Sequence, residues 1–289
     1  MSSSTAPPGP GSSSSSSSSS SSAPAASKSV FRLNFDKEAW ESATTMPWLY
    51  FRVLLPARPL PPAAARHYTT ARLVVRPLRA ATDLDAFAAL RARPETQDPS
   101  PTRGRVDRDR AESAAFLDRL AADDEGHWYF GAFLRASGQL VGEGGIPNLV
   151  EMGRAGWPEA EFLLAREFWR QGLGSEFWEA VVGAWWELPR ALQRHQLFPP
   201  IVPDKEPGDE LEEIIGFMHE SHNKAAEAFL AKMLRGSRLS QQAGSLVTFD
   251  MREGREGNIV NWAGRVSENL RQPRIVQEDE GESPTAEDP

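Results

Sequence analysis

The chain alternates between two hydrophobic patterns from about residue 70 to about residue 255. Short runs rich in β-branched and apolar residues are typical of strands, whereas apolar residues that recur at helical spacing are typical of amphipathic helices. The segments that show one of these patterns are, in chain order, 71–78, 84–90, 107–120, 128–134, 139–146, 159–165, 173–186, 212–218, 223–233 and 245–251. They predict the order β-α-α-β-β-β-α-β-α-β, a mixed α/β (α+β) domain, because a hairpin and crossover helices occur together.

Two of these strands are predicted to form a β-hairpin. The apolar runs 128–134 and 139–146 are joined by a short linker that ends in Gly138, and glycine supplies the positive φ that such a turn often needs. The second strand contains three glycines that match no nucleotide-binding spacing, so we interpret them as a bulge or a close approach of two backbones. They are Gly142, Gly144 and Gly145.

The segments outside this pattern have a different composition. An unbroken serine run from Ser12 to Ser22 cannot bury enough apolar surface to fold, and six acids without a base lie between Glu278 and Pro289. The predicted organisation is therefore a disordered tail (1–29), a poorly defined extension (30–70), an ordered domain (71–255) with an inserted Pro-rich and charged loop (189–211), and an acidic tail (256–289).

Charge and composition argue against several functions. The formal net charge is −8, and removing the six acids of 278–289 leaves −8 + 6 = −2 for the rest, without a basic stripe, so no nucleic-acid partner is expected. The chain has no cysteine, which excludes disulfides, thiolate zinc sites and cysteine nucleophiles and fits the cytoplasm. No segment reaches the roughly 20 apolar residues of a membrane span. Mitochondrial import stays open, because the N-terminal region is serine-rich and has no acid before Asp36.

Residues 166–177 read REFWRQGLGSEF and join a predicted strand to a predicted helix. Gly172 and Gly174 lack a Cβ, so the main chain can approach a pyrophosphate closely, and the helix start presents unpaired N–H groups. Arg170 adds a cation. The motifs GxxxxGK[ST], GxGxxG and GxSxG all fail by spacing. Taken alone, the segment fits a phosphate-binding turn and a plain helix start equally well.

The wider context resembles a known family. The segment EAEFLLAREFWRQGLGSEFWEAVVGAWW (159–186) resembles the acetyl-CoA-binding segment of GNAT-fold N-acetyltransferases, in particular the branch that includes ribosomal-protein alanine N-acetyltransferases. Downstream, EEIIGFM and HESHNKAAEAFLAKM resemble the family's next strand and helix, with Asn223 and Lys232 in place. The resemblance spans about residues 71–252. The positions in register within the first segment are Glu159, Phe162, Leu164, Phe168, Trp169, Gln171, Gly172, Gly174, Ser175 and Glu176.

This resemblance implies a mixed, mostly antiparallel sheet with flanking helices and a splayed cofactor cleft. It implies acetyl-CoA as the acyl donor and a primary amine, either a protein N-terminus or a small amine, as the acceptor. The amine would attack the thioester directly while a base removes its proton. The residues implied to bind the cofactor are Phe162, Leu163 and Leu164 for the pantetheine arm, Arg170, Gln171, Gly172, Leu173, Gly174 and Ser175 for the pyrophosphate, and Asn223 for the cofactor or product side.

Glu159 and Glu161 are the candidate bases. They are two residues apart on a predicted strand and therefore share one face. We prefer Glu159, because it matches the family position, whereas a solvated edge or a salt bridge stays the alternative for both. His219 and His222 lack a third ligand, so no metal site is predicted and we assign them to a surface loop, with His222 as an alternative proton shuttle.

The chain also departs from the family pattern. Arg170 and Glu161 stand where the family often has glycine, and Ala226 stands where it often has serine. We expect the turn to tolerate Arg170 because helix starts accept most residues. The family's tyrosine general acid after the last helix is missing. These departures leave a second hypothesis open, a GNAT-fold CoA-binding or protein-interaction module with weak catalysis.

Overall fold

A computed structural model describes residues 31–34, 45–97, 100, 104–149, 156–198, 205–220, 222–236, 240–249, 258–266 and 274–275. Its helices are α1 (Ala80–Arg91), α2 (Pro94–Gln97), α3 (Arg110–Ala122), α4 (Leu173–Trp186) and α5 (Lys224–Gly236). Its strands are β1 (Phe31–Asn34), β2 (Leu49–Pro56), β3 (Tyr68–Thr69), β4 (Leu73–Arg76), β5 (Trp128–Leu134), β6 (Leu140–Ile146), β7 (Glu159–Leu164), β8 (Arg190–Leu197), β9 (Glu210–Glu212), β10 (Ile214–Glu220), β11 (Ser240–Phe249), β12 (Asn258–Val266) and β13 (Arg274–Ile275).

Nine of these strands form one sheet in the order β1-β11-β12-β10-β7-β6-β5-β4-β3. Six of its eight pairings are antiparallel, whereas β7 with β10 and β1 with β11 are parallel. The predicted hairpin is confirmed as β5 and β6. The architecture is therefore the mixed, mostly antiparallel sheet with flanking helices that the sequence predicts.

Two apolar layers cover the large sheet, because successive residues of a strand point to opposite faces. In β5, Trp128 and Phe130 point to a layer covered by α4 and α5, whereas Tyr129 and Phe133 point to a layer covered by α1 and α3. All four side chains are buried. Helices therefore cover both faces of the sheet.

The inserted loop predicted over 189–211 is corrected in part. Residues 190–197 form β8, which pairs antiparallel with β2 along its whole length, while β9 pairs parallel with β2 on the other side. Together with β13 these strands make a second, four-stranded sheet. The polar alternation of β8 concealed it in the sequence, because residues such as Arg194 and Gln196 face solvent while their neighbours face the apolar cluster beneath.

Two further predictions concern the ends of the domain. β12 lies inside the segment predicted as an acidic tail, 256–289, yet it pairs antiparallel with both β10 and β11 in the large sheet. The tail predicted over 1–29 and the acids from residue 278 onward lie outside the described residues. The outer limits of the domain, 71 and 255, stay a prediction. Among the helices that the structure describes, none is long and apolar enough to cross a membrane.

Candidate active site

The sheet opens between its two central parallel strands. β7 and β10 pair at Glu159 and Ala160, which lie opposite Gly216 and Phe217. Within the described residues no further pair joins the two strands toward Leu164. The strands therefore separate into a wedge-shaped cleft, and among the described residues the edge of β7 beyond Ala160 has no strand partner.

Backbone groups of Phe162 and Leu164 face this cleft. The N–H of Ala165 donates to the carbonyl oxygen of Val141 at 2.9 Å, which fixes the alternation of hydrogen-bonded pairs between β6 and β7. In an antiparallel ladder every second residue is not bonded to its neighbour strand, so Phe162 and Leu164 direct their N–H and C=O groups away from β6. Leu163 faces β6 instead.

The cleft edge has one internal hydrogen bond. The indole Nε1 of Trp169 donates to the carbonyl oxygen of Leu164 at 2.7 Å. The alternation of the ladder leaves both backbone groups of Phe162 and the N–H of Leu164 directed into the cleft. An extended amide chain could pair with these groups in the manner of an added strand.

Gly142 and Gly144 allow β6 to lie unusually close to this strand. A Cβ at Gly142 would lie 2.5 Å from the carbonyl oxygen of Leu163, and a Cβ at Gly144 would lie 2.6 Å from that of Glu161. The interpretation of these glycines as a close backbone approach is confirmed. The absence of a Cβ at both positions therefore allows β7 to pack against β6 at this distance.

The turn after β7 ends in two left-handed residues. Arg170 has a φ of 62° and Gly172 a φ of 79°, and Gly172 is the residue that precedes α4. No side chain caps this helix start. The first N–H groups of α4 therefore point out of the helix, where the helix dipole favours an anion.

The reason expected for tolerance of Arg170 is corrected by this geometry. Arg170 lies two residues before Gly172, outside α4, so its tolerance is not that of a helix start. A non-glycine residue in the left-handed region costs about 1–2 kcal/mol. The left-handed conformation of Arg170 therefore lowers the stability of the fold.

The N-terminal turn of α4 is anchored to the start of β4. Glu176 accepts hydrogen bonds from the backbone N–H and from Nε of Arg72, both at 2.7 Å, and from the hydroxyl of Thr70. Partial burial raises the pKa of Glu176, but the hydrogen bonds from Thr70 and Arg72 outweigh it, so the net pKa is lowered. The carboxylate therefore stays ionised and holds the turn at neutral pH.

Three cations surround the turn. Arg170 is exposed in the turn itself, Arg72 donates from Nη1 to the carbonyl oxygen of Gln171 at 2.8 Å, and Lys232 of α5 donates to Oγ of Ser175 at 3.2 Å. The sequence motif contains Lys232 but gives no signal for Arg72, because the contact joins residues about 100 positions apart. Arg72 is paired with the carboxylate of Glu176, so Arg170 and Lys232 supply the net positive charge that favours a polyanion at the start of α4.

The remaining residues expected at the cofactor serve partly structural roles. The side chain of Leu173 is buried in the core, and a Cβ at Gly174 would lie 3.2 Å from Cδ1 of Leu164, so α4 packs tightly on β7. Asn223 caps α5, since its Oδ1 accepts from the N–H of Ala226 at 3.0 Å. This confirms the predicted cap.

The two candidate bases, Glu159 and Glu161, lie on the face of β7 away from α4. Both are half-buried. Oε2 of Glu161 accepts a hydrogen bond from Oγ of Ser100 at 3.2 Å, and its Oε1 lies 3.4 Å from the hydroxyl oxygen of Tyr129. Glu159 lies beside Gly216, where an added Cβ would be 3.2 Å from its Cγ. The two side chains therefore share one face of β7 at the point where β7 and β10 separate.

A buried ion pair that the sequence does not predict lies behind Glu161. Glu143 is fully buried and accepts from Nε and Nη2 of Arg91 at 3.0 and 2.9 Å, from Nε2 of Gln97 and from the hydroxyl of Tyr129. The available signal was a lone acid inside the apolar run LVGEGGI, since a buried charge needs a partner.

The two histidines are separated by the structure. His219 lies buried on β10, so its assignment to a surface loop was wrong. His222 is exposed, and its Nε2 lies 3.0 Å from Oε2 of Glu220. Among the described residues there is no cluster of three or more His, Asp or Glu that could hold a metal ion.

Residues 72–233, more than half of the chain, match the acetyltransferase (GNAT) domain family. The chain belongs to the GNAT acetyltransferase family. The matched residues contain the β7 edge, the turn and the N-terminus of α4, so the cleft of this acetyltransferase lies within the family domain.

Solved structures of other acetyltransferases are similar to this one. A ribosomal-protein-S5-alanine acetyltransferase from Vibrio fischeri is 11% identical, with a TM-score of 0.48 over 71% of this chain and 99% of its own. A GNAT-family acetyltransferase from Bacillus anthracis is 14% identical, with a TM-score of 0.45 over 68% and 96%. A GCN5-related N-acetyltransferase from Brucella melitensis is 15% identical, with a TM-score of 0.44 over 72% and 81%. No curated protein sequence matches the chain.

Proposed function

We propose that this acetyltransferase transfers the acetyl group of acetyl-CoA to a primary amine, either a protein N-terminus or a small amine, in the cytoplasm. The observation that carries the proposal is the meeting of two features at one cleft. The free edge of β7 at Phe162 and Leu164 ends directly in a turn with an uncapped helix start and three cations.

The residues of the cleft fit this cofactor. An extended arm with two amide groups matches the cleft-facing backbone of Phe162 and Leu164, whereas a pyrophosphate matches the N–H groups of Leu173, Gly174 and Ser175. Arg170 and Lys232 would offset its charge, while Arg72, paired with Glu176, would hold the turn in place. Gln171 contributes through the backbone of the turn, and Asn223 retains its amide NH2 group for a contact, because only Oδ1 is used in the cap.

When bound, acetyl-CoA supplies an activated acyl group as a thioester. The chain's own task is to deliver a neutral amine to it, and an amine at neutral pH carries a proton that must be removed first. Glu159 and Glu161 stand at the point where the strands separate. Glu159, at the family position, is the preferred base for that proton, directly or through water, and Glu161 is the alternative. A backbone N–H of the β7 edge would stabilise the negative charge that develops on the carbonyl oxygen.

The proposal is tested in two steps. Isothermal titration with acetyl-CoA measures binding, and a thiol-release assay over a panel of amines and N-terminal peptides measures transfer. We expect binding, and turnover that is lost in Glu159→Gln while the affinity for acetyl-CoA is retained. Absence of binding at millimolar acetyl-CoA would refute the proposed site.

One observation favours a second function, a CoA-binding module without turnover. The chain has three tyrosines, and the hydroxyl of Tyr129, the one nearest the candidate bases, is fully buried. A protein of this kind would bind acetyl-CoA, release no thiol with any amine, and behave identically as the Glu159→Gln variant.

A further inference from the structure

Tyr129 lies directly behind the cleft carboxylate Glu161. Its hydroxyl oxygen is 3.0 Å from Oε2 of Glu143 and 3.4 Å from Oε1 of Glu161. Glu161 is half-buried at the point where the strands separate, whereas Glu143 is fully buried one strand away. The single hydroxyl proton of Tyr129 is donated mainly to Glu143, and the longer contact with Glu161 is the weaker of the two, so one hydroxyl group lies between a carboxylate of the cleft and a carboxylate of the interior.

The interior end of this connection is rigid. Arg91 donates two of its N–H groups to Glu143, and its guanidinium lies 3.8 Å from the ring centroid of Phe116 and 4.4 Å from that of Phe87. Both members of the ion pair are buried. A buried ion pair with this many partners holds its side chains in one orientation. The hydroxyl of Tyr129, which donates to Glu143, is therefore held in a fixed position as well.

The cleft end is held from two sides. Ser100 donates to Oε2 of Glu161 at 3.2 Å while Tyr129 faces Oε1, so each carboxylate oxygen has its own hydroxyl neighbour. Two contacts on different oxygens restrict rotation of the carboxylate about its terminal bond. Catalytic and binding groups gain efficiency when their orientation is fixed in this way.

We propose that Tyr129 is the positioning residue of Glu161, tying it to the buried Arg91–Glu143 pair and so fixing the carboxylate that meets the acceptor amine. This inference rests on the proposed function, because it assigns Glu161 to the acceptor side of that reaction. The amine whose recognition depends on Tyr129 is one that reaches the cleft as an ammonium ion, since a carboxylate receives it.

Tyr129 does not replace the missing general acid. Its side chain is only 1% exposed, and its ring packs against that of Phe116 at 5.5 Å between centroids. Burial, followed by the charges of Glu143 and Glu161, raises the pKa of the Tyr129 hydroxyl well above its ordinary value. A proton held this firmly is not given to a departing thiolate, so the role of Tyr129 is to orient.

The test is a double-mutant cycle of Tyr129→Phe and Glu161→Gln, measured with the amine that gives the highest turnover. Because the Tyr129 hydroxyl donates mainly to Glu143, we expect Tyr129→Phe to raise the acceptor KM by about twofold to threefold, as for loss of a weak hydrogen bond. Affinity for acetyl-CoA should stay unchanged. The acceptor KM of the double variant should be no higher than that of the more impaired single variant, because the two residues act as one unit.

Tyr68→Phe is the matched control. It removes a tyrosine hydroxyl on the opposite face of the sheet, where the Tyr68 ring lies 5.8 Å from that of Phe130. If Tyr129→Phe and Glu161→Gln add independently, or if Tyr129→Phe changes KM no more than Tyr68→Phe does, the inference is overturned.

A second readout separates this inference from the proposed function. The titration of the Glu161 carboxyl can be followed by carbon-13 NMR, with Glu161→Gln to assign the signal. Tyr129→Phe should move the midpoint of that titration and Tyr68→Phe should not. A moved midpoint supports the contact even where no amine is acetylated, and an unmoved midpoint refutes it even where acetyl transfer is found.

Discussion

Variants of Arg170 can measure the effects of backbone strain and of charge separately at the proposed phosphate turn. Its φ of 62° lies in the left-handed region, where a non-glycine residue is disfavoured by about 1–2 kcal/mol. Glycine avoids this strain but loses about 0.5–1 kcal/mol through the greater freedom of its unfolded chain. Arg170→Gly should therefore be about 0.5–1 kcal/mol more stable than Arg170→Ala, or about 1–4 °C in Tm for a domain of this size.

The same variants report on charge. An exposed cation beside an anion contributes about 0.2–1 kcal/mol, so Arg170→Gly and Arg170→Ala should both weaken acetyl-CoA binding by up to about fivefold. Arg170→Glu should weaken it further through repulsion of the pyrophosphate. Arg170→Lys keeps both the strain and the charge and is the control.

Urea unfolding and isothermal titration at low salt measure the two effects separately. If Arg170→Gly is less stable than Arg170→Ala, the argument from φ is wrong. If all the charge-removing variants bind acetyl-CoA as the wild type does, the phosphates lie elsewhere. Arg170→Lys keeps the positive charge, so a loss of acetyl-CoA affinity as large as that of Arg170→Glu would also contradict the role of charge.

Three further predictions follow from the same structure. Gly142→Ala should destabilise the fold by about 2–4 kcal/mol, because its Cβ would lie 2.5 Å from a carbonyl oxygen, whereas Gly138→Ala, with φ 72° and open space around it, should cost only about 1–2 kcal/mol in urea unfolding. Arg91→Met should cost about 3–5 kcal/mol by leaving Glu143 charged and buried, while Arg110→Met on the surface should change unfolding little. The lowered folded pKa of Glu176 means that its stabilising effect is present above its unfolded pKa of 4.5 and is lost as the pH falls through the folded value, so Glu176→Gln should flatten the acid side of the stability profile. If the free energy of unfolding of Glu176→Gln falls with decreasing pH as steeply as that of the wild type, this role of Glu176 is contradicted.

The elements that build the cleft could be predicted because their signals are local. The hairpin β5–β6, the strand β7 and the helix α4 each follow one hydrophobic period, and Asn223 caps α5 at the position its side chain suggests. The order of these elements then limits the fold to a small set. This is why the family resemblance and the observed architecture agree.

The features that were missed depend on contacts far apart in the chain. β8 pairs with β2 across more than 130 residues, and five of its eight residues are polar although only Arg194 and Gln196 are exposed, so it shows no clear strand pattern. Arg91 meets Glu143 across 52 residues, and Arg72 reaches Gln171 across 99. No local pattern encodes such partners, so only the folded chain reveals them.

The central claim is that the start of α4 and the free edge of β7 together bind acetyl-CoA. Amide chemical shifts recorded during an acetyl-CoA titration test it most directly. We predict the largest changes at the N–H groups of Leu173, Gly174, Ser175 and Phe162, with little change in the second sheet around Val53. Saturable binding that leaves these amides unmoved and shifts others would contradict it.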